Sequence, residues 1–293
     1  MNVNYFKFSL FSFFLLSMAT LLPSCEVINP DEGIPAYIQI DTITLTTNYA
    51  EEGSASHKIT DAWVYVDDQL IGAYELPATV PVLQSGSHKI TINAGLKMNG
   101  IAATRIPYPF FKPYVITTDL FPGSIITLQP NVEYYSTTTF AWMEDFESPG
   151  YTLEVTSFSD TALNRVSGTA DVFEGNSTGL FAMRNPPHVL FECKTINEYV
   201  LPKGGNAVFL ELNYKCNNTF RIGIFENEGG ISTQVPQTIV INKSENWNKI
   251  YVNLTNEVSY FINAVNYNVY FGVIPDEGNP QPQVYVDNIK LIY

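Results

Sequence analysis

The chain has 293 residues, with 15 Lys and Arg against 29 Asp and Glu, a formal net charge of −14. That excess of carboxylates argues strongly against nucleic acid as a partner, because such binding runs on cationic neutralisation of phosphates, and against charge-driven adhesion to anionic lipid headgroups. Three histidines are too few for a multi-histidine metal centre, and aromatics at 14% in a chain rich in Thr, Val and Ile favour strands over helices.

Lys7 is the only charge in the first 25 residues, and the apolar run from Ser9 to Leu22 follows it. The run is too short for an ordinary membrane span and reads as a secretory signal. Leu22-Pro23-Ser24-Cys25 resembles a bacterial lipobox. The resemblance implies a signal peptide over residues 1–24, cleavage before Cys25 and acylation of that cysteine, where several chains on one residue give stable anchoring. Residues 25–35 form an acidic, Pro/Gly-containing tether with Glu26, Asp31 and Glu32. Acidic residues at that position resemble the surface-export signals of lipoproteins from the Bacteroidota, which implies an outer-membrane location facing the cell surface.

Residues 36–141 read as short strands and turns. Tyr37 to Leu45 alternates apolar with polar residues, and Ala62-Trp63-Val64-Tyr65-Val66 meets an Asp67-Asp68-Gln69 turn before Leu70 to Leu76 returns. A proline segment, Leu76 to Leu83, leads into Gly86-Ser87-His88-Lys89-Ile90-Thr91-Ile92. The stretch from Trp63 to Ile92 resembles a PEGA-type, immunoglobulin-like β-sandwich, and more broadly the segment resembles a Bacteroidota outer-membrane lipoprotein family; this implies a fold and no chemistry. Ser-His-Lys-Ile-Thr occurs at 56–60 and again at 87–91 with different flanks, which reads as two similar strand starts and not as a repeat architecture.

Residues 142–293 begin with Glu144-Asp145-Phe146-Glu147 and end with Val284-Tyr285-Val286-Asp287-Asn288-Ile289-Lys290-Leu291-Ile292-Tyr293. Between them lie Glu174-Gly175-Asn176-Ser177-Thr178-Gly179-Leu180, Ala207 to Tyr214, Phe220 to Phe225, Trp247 to Leu254 and Tyr267 to Val273. In that order these segments resemble the jelly-roll carbohydrate-binding modules. The expected fold is therefore all-β: an Ig/PEGA-like β-sandwich followed by a jelly-roll β-sandwich. In the module family a calcium ion often ties the opening acidic strand to the closing one. Carried over by position, the ligands would be Glu144, Asp145, Glu147 and Asp287 with backbone carbonyls, a hard-oxygen set of the kind calcium takes. On a strictly alternating strand Tyr285, Asp287, Ile289, Leu291 and Tyr293 share one face, so Asp287 needs a partner, either such a cation or backbone N–H groups.

Cys193 and Cys216 are equidistant from the Gly204-Gly205 turn, so a hairpin centred there would set them opposite each other as a disulfide; two free buried thiols are the alternative. Pro107 to Tyr114 is a proline-stiffened loop bearing Tyr108, Phe110, Phe111 and Tyr114. Those aromatics either plug the end of a sandwich, the favoured reading, or form a binding platform for protein or sugar. Trp142, Trp247 and Tyr251 face the same choice, with Trp247 assigned to the core. Gly175-Asn176-Ser177-Thr178-Gly179 matches G-x-S-x-G, but a strand-like, proline-stopped segment follows it where a nucleophile elbow requires a helix.

No catalytic constellation emerges. The sequence reads as a lipid-anchored, non-catalytic cell-surface protein that binds glycan or protein through its jelly roll. The alternative is a structural subunit of an outer-membrane complex, docked to a barrel protein of assembly, secretion or uptake machinery.

Overall fold

The computed structural model describes residues 33–168, 170–184, 188–236 and 238–293; the signal segment and Cys25 lie outside them. The alternation at the start of this region makes strand Ala36–Ile40, with Ala36, Ile38 and Ile40 turned inward. It pairs antiparallel with Ala78–Val82 and parallel with Ile125–Leu128. The facing sheet runs Gln69–Glu75, Asp61–Val66, Gly86–Lys97, and the last of these also carries Arg105–Pro107 and Tyr114–Leu120 along its other edge. Asp67 and Asp68 both take positive φ (47° and 65°), the conformation a two-residue hairpin turn between twisted strands requires. Val64, Val66, Val80, Val82, Ile90, Ile92 and Leu96 fill the space between the sheets.

The second sandwich faces two six-stranded sheets across a single apolar core. One sheet is ordered Leu163–Ser167, Ser177–Ala182, Gln283–Ile292, Phe209–Cys216, Ser244–Asn253, with Phe140–Glu144 also on Gln283–Ile292. The other is ordered Leu153–Val155, Phe191–Thr195, Asn266–Val273, Phe220–Glu228, with Ile231–Gln234 and Ile239–Ile241 on its far edge. The described residues are nearly all β and of β-sandwich architecture, as expected, with short α-helices only at Tyr49–Glu52 and Thr255–Tyr260.

Cys193 and Cys216 are not bonded. They sit on strands of opposite sheets, Phe191–Thr195 and Phe209–Cys216, and both are free and buried. The connection through Gly204 and Gly205 crosses between sheets and makes no hairpin. The two Ser-His-Lys-Ile-Thr copies also diverge: residues 87–91 are strand, whereas residues 56–60 are an extended lead into Asp61–Val66. Trp247 is half-buried against Phe173 (5.2 Å between ring centroids) and outside the core, while Trp142 belongs to it.

The G-x-S-x-G segment is the turn and first residues of strand Ser177–Ala182, pairing back on Leu163–Ser167. Gly175 has φ 68°, and Gly179 lies under the ring of fully buried Phe146, so that a Cβ there would stand 2.5 Å from Phe146 Cζ. Both glycines answer to packing and turn geometry. Gly179→Ala is accordingly expected to cost roughly 1–3 kcal/mol of stability by overpacking, read as a lowered midpoint in urea denaturation; an unchanged midpoint would contradict this packing.

The closing strand departs from strict alternation. Val284 and Val286 face the core, and so do Ile289 and Leu291. The parity change falls at Asp287-Asn288, where Asn288 has φ 47° and the register with Phe209–Cys216 shifts between Glu211 and Asn213. This β-bulge turns Asp287 and Lys290 away from the jelly-roll core and towards the first sandwich. Asp287 therefore does not share a face with Ile289 and Leu291.

A polar cavity at the junction of the two sandwiches

The two sandwiches meet on the outer face of the sheet that contains Phe209–Cys216, Ser244–Asn253 and Gln283–Ile292. On these strands Leu210, Leu212, Ile250 and Val252 point into the jelly roll, so Phe209, Glu211, Lys249 and Tyr251 point out. Phe209, Tyr251 and Ile292 join the hydrophobic cluster of the first sandwich. Tyr108 packs edge-on against Phe209 (5.3 Å) and Tyr251 (5.0 Å), and Phe110 against Phe209 (5.9 Å). Tyr108, Phe110 and Phe111 are buried, and Tyr114 is half-buried. The aromatic loop is thus a plug between sandwiches. It is not an open platform, because the jelly-roll sheet already covers it.

A charged network is sealed into this contact. Glu211 accepts hydrogen bonds from Tyr108 Oη (2.8 Å) and Tyr134 Oη (2.9 and 3.0 Å), and Lys249 Nζ lies 3.3 Å from its Oε2. Lys290 Nζ donates to the Ser54 carbonyl at 2.6 Å and faces the Tyr134 ring. Burial pushes Lys249 down and Lys290 down to about 8, against the opposing pull of Glu211. Burial first, and then the Glu211 charge, raise the Tyr108, Tyr134 and Tyr251 phenols.

The four carboxylates expected to bind calcium do not form a common shell. Glu144 accepts from the Phe146 and Thr152 N–H groups and the Thr152 hydroxyl. Asp145 accepts from Tyr49 Oη and the Glu147 N–H. Glu147 caps the hairpin through the Asn176 and Ser177 N–H groups (2.7 and 2.8 Å). Asp287 accepts from the Asn288 N–H at 2.8 Å, while its Oδ2 is buried without a hydrogen-bond partner among the described residues. Among the described residues no three His, Cys, Asp or Glu side chains are grouped to hold a metal ion. The opening and closing strands are joined by a backbone ladder from Phe140↔Ile292 to Glu144↔Ile289, which does mechanically what the cation was expected to do.

Beside the aromatic plug, both sandwiches line a cavity of about 240 Å3. Lys58, Thr60, Lys97 and Asn99 come from the first, and Tyr214, Asn242, Lys243, Asn248, Lys249 and Tyr251 from the second. Its polar groups are held in place. Asn248 donates to Tyr214 Oη (2.9 Å) and accepts from Lys58 Nζ (2.5 Å), and the Lys58 N–H donates to Tyr251 Oη (3.0 Å). Asn99 Oδ1 accepts from the Asn253 N–H (2.8 Å), fixing the turn after Gly86–Lys97 against the jelly roll. Val240, Ile241 and Ile250 supply apolar wall. None of the four lysines forms a local motif. The one sequence signal near them is the first Ser-His-Lys-Ile-Thr copy, whose Ser56 and Lys58 make contacts across the junction.

No protein-family model matches the chain, and no curated protein matches it. Among solved structures it is similar to the CBM22-2 xylan-binding domain from Paenibacillus barcinonensis Xyn10C, at 16% identity over 52% of this chain and 98% of that one, with a TM-score of 0.37. It is also similar to a carbohydrate-binding module of the β-sandwich superfamily, at 13% identity over 89% of this chain and 99% of that one (TM-score 0.40). A further similarity is to the enzymatically active domain of bacteriophage CBA120 tailspike protein 4, at 13% identity over 50% of this chain and 20% of that one (TM-score 0.37).

Proposed function

We propose that this chain is a lipid-anchored, non-catalytic binding protein of the outer membrane that faces the cell surface and holds a glycan in the cavity between its two sandwiches. The observation that carries the reading is that cavity. Fixed amides, hydroxyls and ammonium groups converge there beside aliphatic wall, the mixture that orients a sugar ring by hydrogen bonds while covering its C–H face. At about 240 Å3 it lies under the roughly 300–1,000 Å3 of pockets for whole drug-sized ligands, and so suits one sugar unit or a chain end.

The far end of the first sandwich supports the anchor. Ile34, Leu83 and Phe121 are 68%, 71% and 61% exposed and cluster where the chain enters from the tether, with Gly33 against Leu83 and Gly123 against Ile34. Strand Gly86–Lys97 starts at that tip, paired to Leu120, and ends at the junction turn. Twelve residues at about 3.4 Å each put the cavity roughly 35–40 Å from the tip. With Cys25 acylated, the apolar tip faces lipid and the cavity faces outward. The test is a glycan array probed with the purified lipoprotein, followed by titration of each hit against Asn248→Ala; the reading fails if no glycan binds, or if binding ignores the substitution.

The complex-subunit reading has its own observation. Tyr260, Ile262 and Val265 are 68%, 80% and 64% exposed, and Lys203 ties their loop to the segment bearing Val200, 71% exposed, by donating to the Ile262 and Ala264 carbonyls. Stoichiometric co-purification with a barrel protein in mild detergent, lost on Ile262→Ser, would favour it.

A further inference from the structure

Eleven lysines serve a chain whose net charge is −14, and four of them, Lys58, Lys97, Lys243 and Lys249, line the junction cavity. Among the described residues no carboxylate lines it. Three of the four are balanced from behind: Lys97 by Glu75 (3.1 Å), Lys243 by Asp276 (2.9 Å) and Lys249 by Glu211 (3.3 Å). Lys58 is not. Its Nζ is held by the Asn248 amide oxygen, and among the described residues it forms no ion pair.

From this geometry we infer that the cavity takes an anionic sugar residue, with the acid group seated at Lys58 and the ring against Asn248 and Tyr214. The inference rests on the glycan reading above and narrows its ligand. The lysines give the cavity a positive lining, and a ligand anion would supply the opposite charge that its walls lack. Burial, and then the neighbouring Lys97, depress Lys58, as expected of a cation awaiting a counter-charge. The acids behind the other lysines hold those side chains in place without occupying the space a ligand would fill. A uronate and a sulfated sugar share this chemistry.

Isothermal titration of the purified full chain in detergent separates the outcomes. The probes are an oligogalacturonate, a heparin-derived disaccharide, a neutral xylo-oligosaccharide and inorganic phosphate. The acidic sugars are expected to bind at least about tenfold more tightly than the neutral one, and to weaken as NaCl is raised from about 50 to about 300 mM. Which of the two acidic probes binds better distinguishes carboxylate from sulfate. Lys58→Gln is expected to remove that preference. Lys243→Gln, at a half-exposed side chain outside the packed contact, is expected to weaken acidic-sugar binding severalfold with the melting temperature unchanged. Equal binding of neutral and acidic sugars, insensitive to both variants, would overturn the anionic assignment and leave the glycan reading standing. Phosphate binding as tightly as the acidic sugars would overturn the sugar part of the inference, and no binding of any sugar would remove the reading on which it rests.

Discussion

Glu211→Gln is expected to destabilise the protein by roughly 3–5 kcal/mol, the range for breaking a buried ion pair from one side. In a chain of this size that lowers the melting temperature by on the order of 10 °C. Glu211 is fully buried, and so are the groups around it: Tyr108, Tyr134, Lys249 and Lys290. The two tyrosine hydroxyls reach it from the first sandwich, Lys249 stands beside it on the adjacent strand, and Lys290 is its cross-strand partner. Glutamine preserves the shape and still accepts a hydrogen bond. What is lost is the only carboxylate paired with Lys249 among the described residues, leaving an ammonium in a contact from which water is excluded. Because the network joins both sandwiches, the loss should appear as separate melting: a single calorimetric transition in the parent becomes broadened or split in the variant. Glu211→Gln combined with Lys249→Met should recover most of the stability, since both charges are removed while the glutamine oxygen still accepts from the tyrosine hydroxyls. A Glu211→Gln protein that melts as the parent does would show that the network contributes nothing net to the junction.

Much of this fold is written in local pattern. Ala36, Ile38 and Ile40, or Leu210 and Leu212 against Glu211, alternate as a strand with one apolar face must, and Asp67-Asp68 marks its hairpin in two residues. The role of Glu211 is not legible in that pattern because both faces of its strand are buried, one in a core and one under another sandwich, so a polar residue there does not mark solvent. The closing strand misleads for a different reason. A bulge at Asn288 adds one residue and reverses the parity, and nothing in Val-Asp-Asn-Ile states this beyond the tolerance of asparagine for positive φ. Cys193 and Cys216 are symmetric about a glycine turn that changes sheets. The cavity was the least legible part. Lys58, Lys97, Lys243 and Lys249 are brought together by the docking of two sandwiches, and no spacing within either one records that contact. The aromatic loop is the reverse case: its residue types announce an interface, and the partner turned out to be the other half of the chain.

Asp287→Asn is expected to stabilise the protein at pH 7–8 and to flatten the fall of stability between about pH 4 and pH 7. Burial, with the Glu174 carboxylate adding to it, raises the Asp287 carboxyl from 3.8 to about 7. Between those two values the folded chain holds a proton that the unfolded chain has released, so stability declines as pH rises through the interval. A shift of about three units corresponds to about 4 kcal/mol at most, at about 1.4 kcal/mol per unit. Lys290 acts in the opposite sense and in another window. Lowered from 10.5 to about 8, it has lost its proton in the folded state while the unfolded chain keeps it, so its contribution rises with pH from about 8 to about 10.5. Together they place a shallow minimum near pH 7–8. His88, raised above its ordinary value by its bond to Asp67 at the far tip, adds a pH dependence of its own, but it cancels when variant and parent are compared at each pH. Asparagine keeps the oxygen that accepts from the Asn288 N–H and replaces the partnerless Oδ2 with a donor, close to a Glu174 carboxylate that already takes bonds from Ser54 and Asn288. Urea midpoints of the parent and Asp287→Asn from pH 4 to pH 9 test this: parallel curves would mean that Asp287 titrates near its ordinary value. The acid is costly where it sits because the bulge that exposes Lys290 to the junction also turns Asp287 out of the jelly-roll core and into the dry contact between sandwiches.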